Sequence, residues 1–156
     1  MTALPEIGKT APEFSLPGNG GTTHASADYS GKTVVLYFYP KADTSGCTKQ
    51  ALGFTEHGDA FADAGAVVLG VSKDPVTKLD KFVDKHGLTV SLLSDAESEL
   101  CETYGVWVEK SMYGKKYMGI ERSTFLIGPD GTLRQEWRKV KVPGHVEAVL
   151  DAVKAL

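Results

Sequence analysis

The sequence predicts an α/β fold, a central mixed β-sheet flanked by helices on both faces, and three observations carry that reading. Val34-Val35-Leu36-Tyr37-Phe38-Tyr39 and Ala66-Val67-Val68-Leu69-Gly70-Val71-Ser72 are unbroken apolar runs rich in β-branched residues, as strands covered on both faces would be. A stretch with apolar residues at helical spacing follows each of them. Later, Ser123 to Ile127 and Thr132 to Trp137 face each other across Gly128-Pro129-Asp130-Gly131, a turn that makes an antiparallel hairpin. Strand and helix alternating, then a hairpin and a terminal helix, give a sheet with both parallel and antiparallel neighbours.

Taken in order, Ala11 to Leu16 reads as a short extended segment and Pro17-Gly18-Asn19-Gly20-Gly21 as a turn. Ser30-Gly31-Lys32-Thr33 looks like the end of a phosphate-binding loop, but Ser26 stands where that motif needs its first glycine. A strand also follows where a helix should, so Gly31 is a plain turn. The first long strand halts at Pro40, which has no N–H for a ladder. A helix is expected from Thr48 to Ala64, with Leu52, Phe54 and Phe61 on its apolar side and Gly53 and Gly58 weakening it. After the second strand, Asp74 is placed to cap a helix whose first position is Pro75. Val76, Leu79, Phe82 and Val83 then recur at helical spacing. Val90 to Leu93 is extended, and Leu100, Cys101 and Tyr104 lie on a brief helix. Val106 to Gly119 reads as a loop, with Trp107, Met112, Tyr113 and Tyr117 among lysines. The final helix starts at His145 and presents Val146, Val149, Leu150, Val153 and Leu156 as one stripe. A single domain over residues 1–156 is expected.

The bulk properties exclude several classes. Hydrophobic content of 42% and charged content of 24% are those of an ordinary soluble globular chain. A net charge of -3 argues against a nucleic-acid footprint. The basic clusters Lys110, Lys115 and Lys116, and Arg138, Lys139 and Lys141, read as solvated edges before docking patches. The start, Met1 to Glu6, lacks the basic and apolar regions of a signal peptide. No apolar stretch approaches membrane-spanning length, so no membrane partner is expected. Two cysteines, Cys47 and Cys101, are too few for a disulfide scaffold, which points to a reducing cytoplasm. His24, His57, His86 and His145 are dispersed, and none pairs with a cysteine at zinc-site spacing. No metal and no cofactor are expected, and a monomer is expected over an oligomer.

The candidate for chemistry is Cys47, which lies in what reads as the first turn of a helix. Thiolate is the reactive form of cysteine, and a helix N-terminus favours negative charge through its unpaired N–H groups and dipole. Thr44 and Ser45 occupy capping positions, and the Thr44 hydroxyl, three residues before Cys47, is within reach of the sulfur or of an oxygen bound near it. Pro40 stiffens the loop and could shield the sulfur from water. A buried, inert cysteine is the bland alternative. It loses ground because Cys47 sits in a polar Thr-Ser-Gly-Cys-Thr-Lys stretch rather than on an apolar stripe. Phe38 and Tyr39 are expected as walls beside the site. Trp107, Tyr113 and Tyr117 are expected to pack a long loop, with lining of an entrance as the alternative.

These residues carry a resemblance. Pro40-(x3)-Thr44-(x2)-Cys47, between an apolar strand and a helix, resembles the peroxidatic motif of the peroxiredoxins. The fuller run Phe38-Tyr39-Pro40-Lys41 to Gly46-Cys47-Thr48 is similar to the bacterioferritin-comigratory, or Q-type, branch. The likeness extends from Gly8-Lys9-Thr10-Ala11-Pro12-Glu13-Phe14, through Tyr104-Gly105-Val106-Trp107 and Arg122 ahead of Ser123-Thr124-Phe125-Leu126-Ile127, to the last helix. The resemblance implies a thioredoxin-like fold and thiol-dependent reduction of hydrogen peroxide or alkyl hydroperoxides. It implies that Cys47 attacks, Thr44 binds and orients the peroxide, Pro40 shields the site and Arg122 activates the thiol. A fixed guanidinium near sulfur favours thiolate and can stabilise the oxyanion that develops as the O–O bond breaks. Cys47 would become a sulfenic acid that a second thiol must reduce. For Arg122 taken alone, a surface ion pair would be the default reading.

The sequence departs from the branch at the second thiol. Leu52 stands where many relatives carry a resolving cysteine, Phe82-Val83 offers none where others place it, and Ser45 replaces a common proline. Cys101, between Leu100 and Tyr104, reads as a core residue whose use as resolver would need local unfolding. One-cysteine chemistry with an external reductant (thioredoxin, glutaredoxin or a small thiol) is therefore expected, with resolution by Cys101 as the alternative. A disulfide oxidoreductase would need Cys-x-x-Cys, and its second cysteine position is Gln50. A peroxide sensor or binding module switched by Cys47 oxidation would start from the same sulfenic acid, and steady turnover separates it from an enzyme.

Overall fold

In a computed structural model that describes residues 4–156, the chain opens with a small hairpin, β1 (Ser15–Pro17) antiparallel to β2 (Thr23–Ala25). The signal-peptide reading falls partly on Met1, Thr2 and Ala3, which lie outside the described residues. Between these strands Gly20 and Gly21 take φ of 77° and 80°, which only glycine adopts at no cost. Gly31 is a turn, as expected, at φ 87°.

The central strand β3 (Thr33–Phe38) leads to α1 (Ser45–Glu56) and α2 (Gly58–Asp63), then β4 (Ala66–Ser72), α3 (Val76–His86) and β5 (Ser91–Ser94). Next come α4 (Leu100–Thr103), β6 (Trp107–Met112), β7 (Lys115–Ile120), β8 (Ser123–Ile127), β9 (Leu133–Trp137) and α5 (His145–Lys154). Five strands form one sheet in the order β5-β4-β3-β8-β9. The pairs β3–β4 and β4–β5 are parallel, β3–β8 and β8–β9 antiparallel, so the sheet is mixed. Every residue of β3 is buried, as its unbroken apolar run requires.

Alternation along β3 sorts the core into two layers. Val35, Tyr37 and Tyr39 pack with Phe54 of α1, Phe61 of α2, Leu79 and Phe82 of α3, and Val146 and Val149 of α5. Val34, Leu36 and Phe38 face the other way, toward Leu100, Tyr104, Val106 and Phe125. Burial of each such aromatic or aliphatic side chain stabilises the fold by about 2 kcal/mol. Gly70 lets two strands share one layer: a Cβ there would stand 2.7 Å from the Tyr37 ring, which stacks on Phe54 at 4.7 Å between centroids.

Several sequence expectations need correction. The helix placed at Thr48–Ala64 begins at Ser45 and breaks at His57, whose ring Nδ1 and backbone N–H both donate to the Gly53 carbonyl, at 2.9 and 3.1 Å. Gly53 is there for packing, since a Cβ would meet Val146 of α5 at 3.0 Å. Asp74 does not cap α3; Pro75 is the N-cap residue, with φ -70° and ψ 158°, and the Asp74 carboxylate points elsewhere. Val106–Gly119 is not a loop, because β6 and β7 pair antiparallel from Trp107↔Ile120 to Met112↔Lys115. Its two-residue turn, Tyr113-Gly114, has φ of 52° and 77°, the positive pair that a tight hairpin demands. Tyr113 is accordingly solvent-exposed at the tip. Phe38 lies on the far side of the sheet from the layer that holds Tyr39. Arg138 is no solvated edge, since it donates to the Tyr104 and Gly105 carbonyls and lies over the Phe125 ring. Leu156 falls beyond α5 and is exposed.

Candidate active site

Strand directions bring the site together. Phe38 ends β3 beside Val71 of parallel β4 and beside Ser123 at the start of antiparallel β8. The segments after β3, after β4 and before β8 therefore meet at one end of the sheet, the carboxyl ends of its parallel strands. Those segments carry Pro40 to Cys47, Lys73 and Asp74, and Arg122.

Cys47 is the third residue of α1 and is 2% exposed, its side chain packed in the layer that also contains Tyr37, Tyr39 and Ala51. Arg122, just before the neighbouring strand β8, reaches it: Nη2 donates to the Cys47 sulfur at 3.2 Å, and Nη1 donates to Gln50 Oε1 at 2.6 Å. Gln50 is one turn beyond Cys47 on the same helix face and fully buried. The Arg122 backbone is fixed as well, its carbonyl accepting from the Val140 N–H at 2.9 Å. Gly46 leaves room for this approach, because a Cβ there would lie 3.2 Å from Nη2. A guanidinium and a helix N-terminus thus converge on one sulfur.

The loop ahead of α1 is tied down at three points. The Ala42 N–H donates to Asp74 Oδ2 at 2.7 Å. Asp43, held at φ 63°, accepts from Lys85 Nζ and pairs with His86 Nε2, each at 2.9 Å. His86 and Lys85 at the end of α3 hold the Asp43 carboxyl below its usual range. Thr44 is the N-cap residue by backbone geometry, with φ -90° and ψ 158°, but its hydroxyl does not cap the helix. It donates instead to the Lys41 carbonyl at 2.8 Å. Pro40 opens this loop and is half-buried.

Two titrating neighbours sit close by. His145 at the start of α5 is 6% exposed and hydrogen-bonded through Nε2 to Thr124 at 2.8 Å. Burial, and then the Arg122 guanidinium, bring its pKa down to about 4. The pKa of Lys110 on β6 is lowered by its partial burial and then by the Arg122 guanidinium.

Of the residues singled out in the sequence, Cys47 and Arg122 are in direct contact and Thr44 and Pro40 lie on the adjoining loop. Cys101 is apart from them. It is fully buried in the layer on the opposite face of the sheet, with its N–H bonded to Asp95 Oδ2 at 2.8 Å. Burial pushes the Cys101 thiol well above its ordinary range, and the Asp95 carboxylate adds to the shift. Sequence reasoning missed Gln50, Asp74 and Gly46. Gln50 had a signal, its i+3 spacing from Cys47. Asp74 looked like an ordinary cap, and only the fold shows what it holds. Among the described residues, no group of three or more His, Cys, Asp or Glu is arranged to hold a metal ion, and no helix is long and apolar enough to cross a membrane.

Comparison with known proteins places the chain in a family. Residues 7–136 match the AhpC/TSA family. The chain is 50% identical to Peroxiredoxin Bcp of Bacillus subtilis over 149 residues, 96% of this chain and 95% of that protein. It is 44% identical to Peroxiredoxin Bcp of Escherichia coli, with 96% of each covered. Among solved structures, it is similar to the C47S mutant of PrxQ from Xylella fastidiosa, at TM-score 0.92 and 43% identity over 98% of each chain. It is also similar to the bacterioferritin comigratory protein of Xanthomonas campestris, studied for its alkyl peroxide reduction activity. The TM-score there is 0.89, with 44% identity over 96% of this chain and 98% of that one.

Proposed function

The chain belongs to the AhpC/TSA family, as a thiol-dependent peroxidase of the peroxiredoxin Bcp kind with a thioredoxin-like fold, and from that premise we propose that Cys47 reduces hydrogen peroxide and alkyl hydroperoxides by one-cysteine chemistry. The observation that carries the assignment is the Arg122 guanidinium 3.2 Å from the Cys47 sulfur at the start of α1.

In the first step, the Cys47 thiolate attacks the terminal oxygen of ROOH. An S–O bond forms as the O–O bond breaks, sulfur loses two electrons, and RO⁻ departs with the pair and takes a proton to become ROH. Arg122 stabilises the charge both on the sulfur and on the departing oxygen. The Thr44 hydroxyl, with its hydrogen committed to the Lys41 carbonyl, presents its lone pairs as an acceptor for the peroxide O–H. Pro40 offers no N–H and limits water at the loop.

Cys47 is left as a sulfenic acid. An external thiol then attacks its sulfur, an S–S bond forms and water leaves, and a second thiol releases the reduced enzyme. Placement of Cys101 behind the sheet, with its thiol held protonated by burial, supports an external reductant over Cys101 as resolver. At 2% exposure the Cys47 sulfur must leave its seat to meet that reductant, through fraying of the first turn of α1. Two free cysteines suit a reducing cytoplasm, where thioredoxin, glutaredoxin or a small thiol is available.

The test is peroxide consumption with each of those three reductants, comparing the natural chain with Cys47→Ser. Turnover that disappears with the sulfur supports the assignment. A single stoichiometric oxidation without turnover, whichever reductant is used, makes the chain a sensor instead.

A further inference from the structure

We propose that Asp74 is a positioning residue for the peroxide reaction, acting on the Thr44 hydroxyl through the peptide unit between Lys41 and Ala42. The inference rests on the reading of Thr44 as the group that orients the peroxide.

Asp74 follows β4 and is 9% exposed. Its Oδ2 accepts from the Ala42 N–H at 2.7 Å and from the Ser72 hydroxyl at 2.9 Å. Its backbone carbonyl accepts the Ser94 hydroxyl at 2.6 Å, so buried Ser72 holds the carboxylate and buried Ser94 holds the main chain that carries it. The Ala42 N–H and the Lys41 C=O belong to one planar peptide unit. The oxygen of that same unit accepts the Thr44 hydroxyl at 2.8 Å. A carboxylate thus fixes the plane, and the plane fixes where the hydroxyl hydrogen points.

The consequence for chemistry is directional. A threonine hydroxyl can donate or accept, and a free one rotates to suit. With its hydrogen held by the Lys41 carbonyl, Oγ1 can only accept, which suits the O–H of a hydroperoxide approaching Cys47. A charged acceptor on the N–H also polarises the peptide and strengthens its carbonyl as an acceptor. Without Asp74, the loop keeps its tether at Asp43, held by Lys85 and His86, but the peptide plane is free to turn. Asp74 itself touches neither sulfur nor substrate.

The experiment measures the rate of Cys47 oxidation by hydrogen peroxide and, separately, of its alkylation by iodoacetamide, which needs no oriented hydrogen bond. The variants are Thr44→Val, Asp74→Ala, the two combined, and Asp74→Asn. Thr44→Val and Asp74→Ala should each slow peroxide oxidation about 10- to 30-fold, while alkylation changes less than about threefold. The combined variant should be no slower than either alone, because both remove one device. Asp74→Asn, whose amide oxygen can stand where Oδ2 stands, should stay within about threefold of the natural rate. Equal losses in peroxide and iodoacetamide rates, or multiplying losses in the combined variant, overturn the proposal. A natural peroxide rate in Thr44→Val instead overturns the reading of Thr44, and the proposal with it. If Asp74→Ala does not fold, Asp74→Ser is used, which stays polar toward Ser72 but is too short to reach Ala42. It should show the same selective loss, and an unchanged peroxide rate overturns the proposal.

Discussion

Arg122 Nη2 donates to the Cys47 sulfur at 3.2 Å although 75 residues separate the two in sequence. The same guanidinium holds Gln50 at 2.6 Å, so it is fixed by a fork and not by the sulfur alone.

Loss of that fork should slow the first chemical step. Arg122→Met is expected to reduce the rate of Cys47 oxidation by peroxide about 100-fold, the cost of removing one charge-stabilising donor, near 3 kcal/mol. Arg122→Lys should recover only part of it, since a single ammonium cannot engage sulfur and Gln50 in the same planar geometry. Stopped-flow oxidation of the reduced protein checks both, and full recovery by lysine would mean that charge alone matters.

Gly46→Ala separates activity from stability. The added Cβ would stand 3.2 Å from Arg122 Nη2, which has little room to give between Cys47 and Gln50. Peroxide oxidation should slow about tenfold. The melting temperature should change little, because alanine's better helix propensity, at most about 1 kcal/mol, is set against the crowding at Arg122. A fall in both would show that Gly46 serves folding and not the approach of the arginine.

Acid should weaken the fold through His145. Its pKa is about 4 in the folded chain against 6.5 for an ordinary histidine, so between those values the unfolded chain binds more protons. Stability from this group is complete above 6.5 and is lost as pH falls toward 4. Urea unfolding at about pH 7 and about pH 4.5 should differ by on the order of 2 kcal/mol more in the natural chain than in His145→Gln. Equal differences in the two proteins would remove His145 as the cause.

The sequence exposed the sheet more readily than the site. β3 was legible because a central strand buries both faces and every one of its residues is apolar or threonine. The same uniformity concealed which residues share a face, and so Phe38 and Tyr39 looked equivalent when they point to opposite layers. The β6–β7 hairpin was missed because Glu109, Ser111, Met112, Lys115, Lys116, Tyr117 and Met118 are exposed, leaving no period-2 apolar pattern to read. Its turn, Tyr113-Gly114, carries only one residue that signals positive φ. Cys47 was found from its local setting. Arg122 has no local signal at all, and the resemblance to a family supplied it. Asp74 looks like a cap from its neighbours in sequence, Pro75 above all, whereas its partner is Ala42, 32 residues away.

The most direct test of the account is the mass of the protein after one equivalent of hydroperoxide, with a sulfenic-acid trap present, for the natural chain and for Cys101→Ser. One-cysteine chemistry gives the trap on Cys47 in both, no intramolecular disulfide in either, and equal turnover with an external thiol. Loss of two hydrogens in the natural chain through a Cys47–Cys101 disulfide, together with loss of turnover in Cys101→Ser, would contradict it.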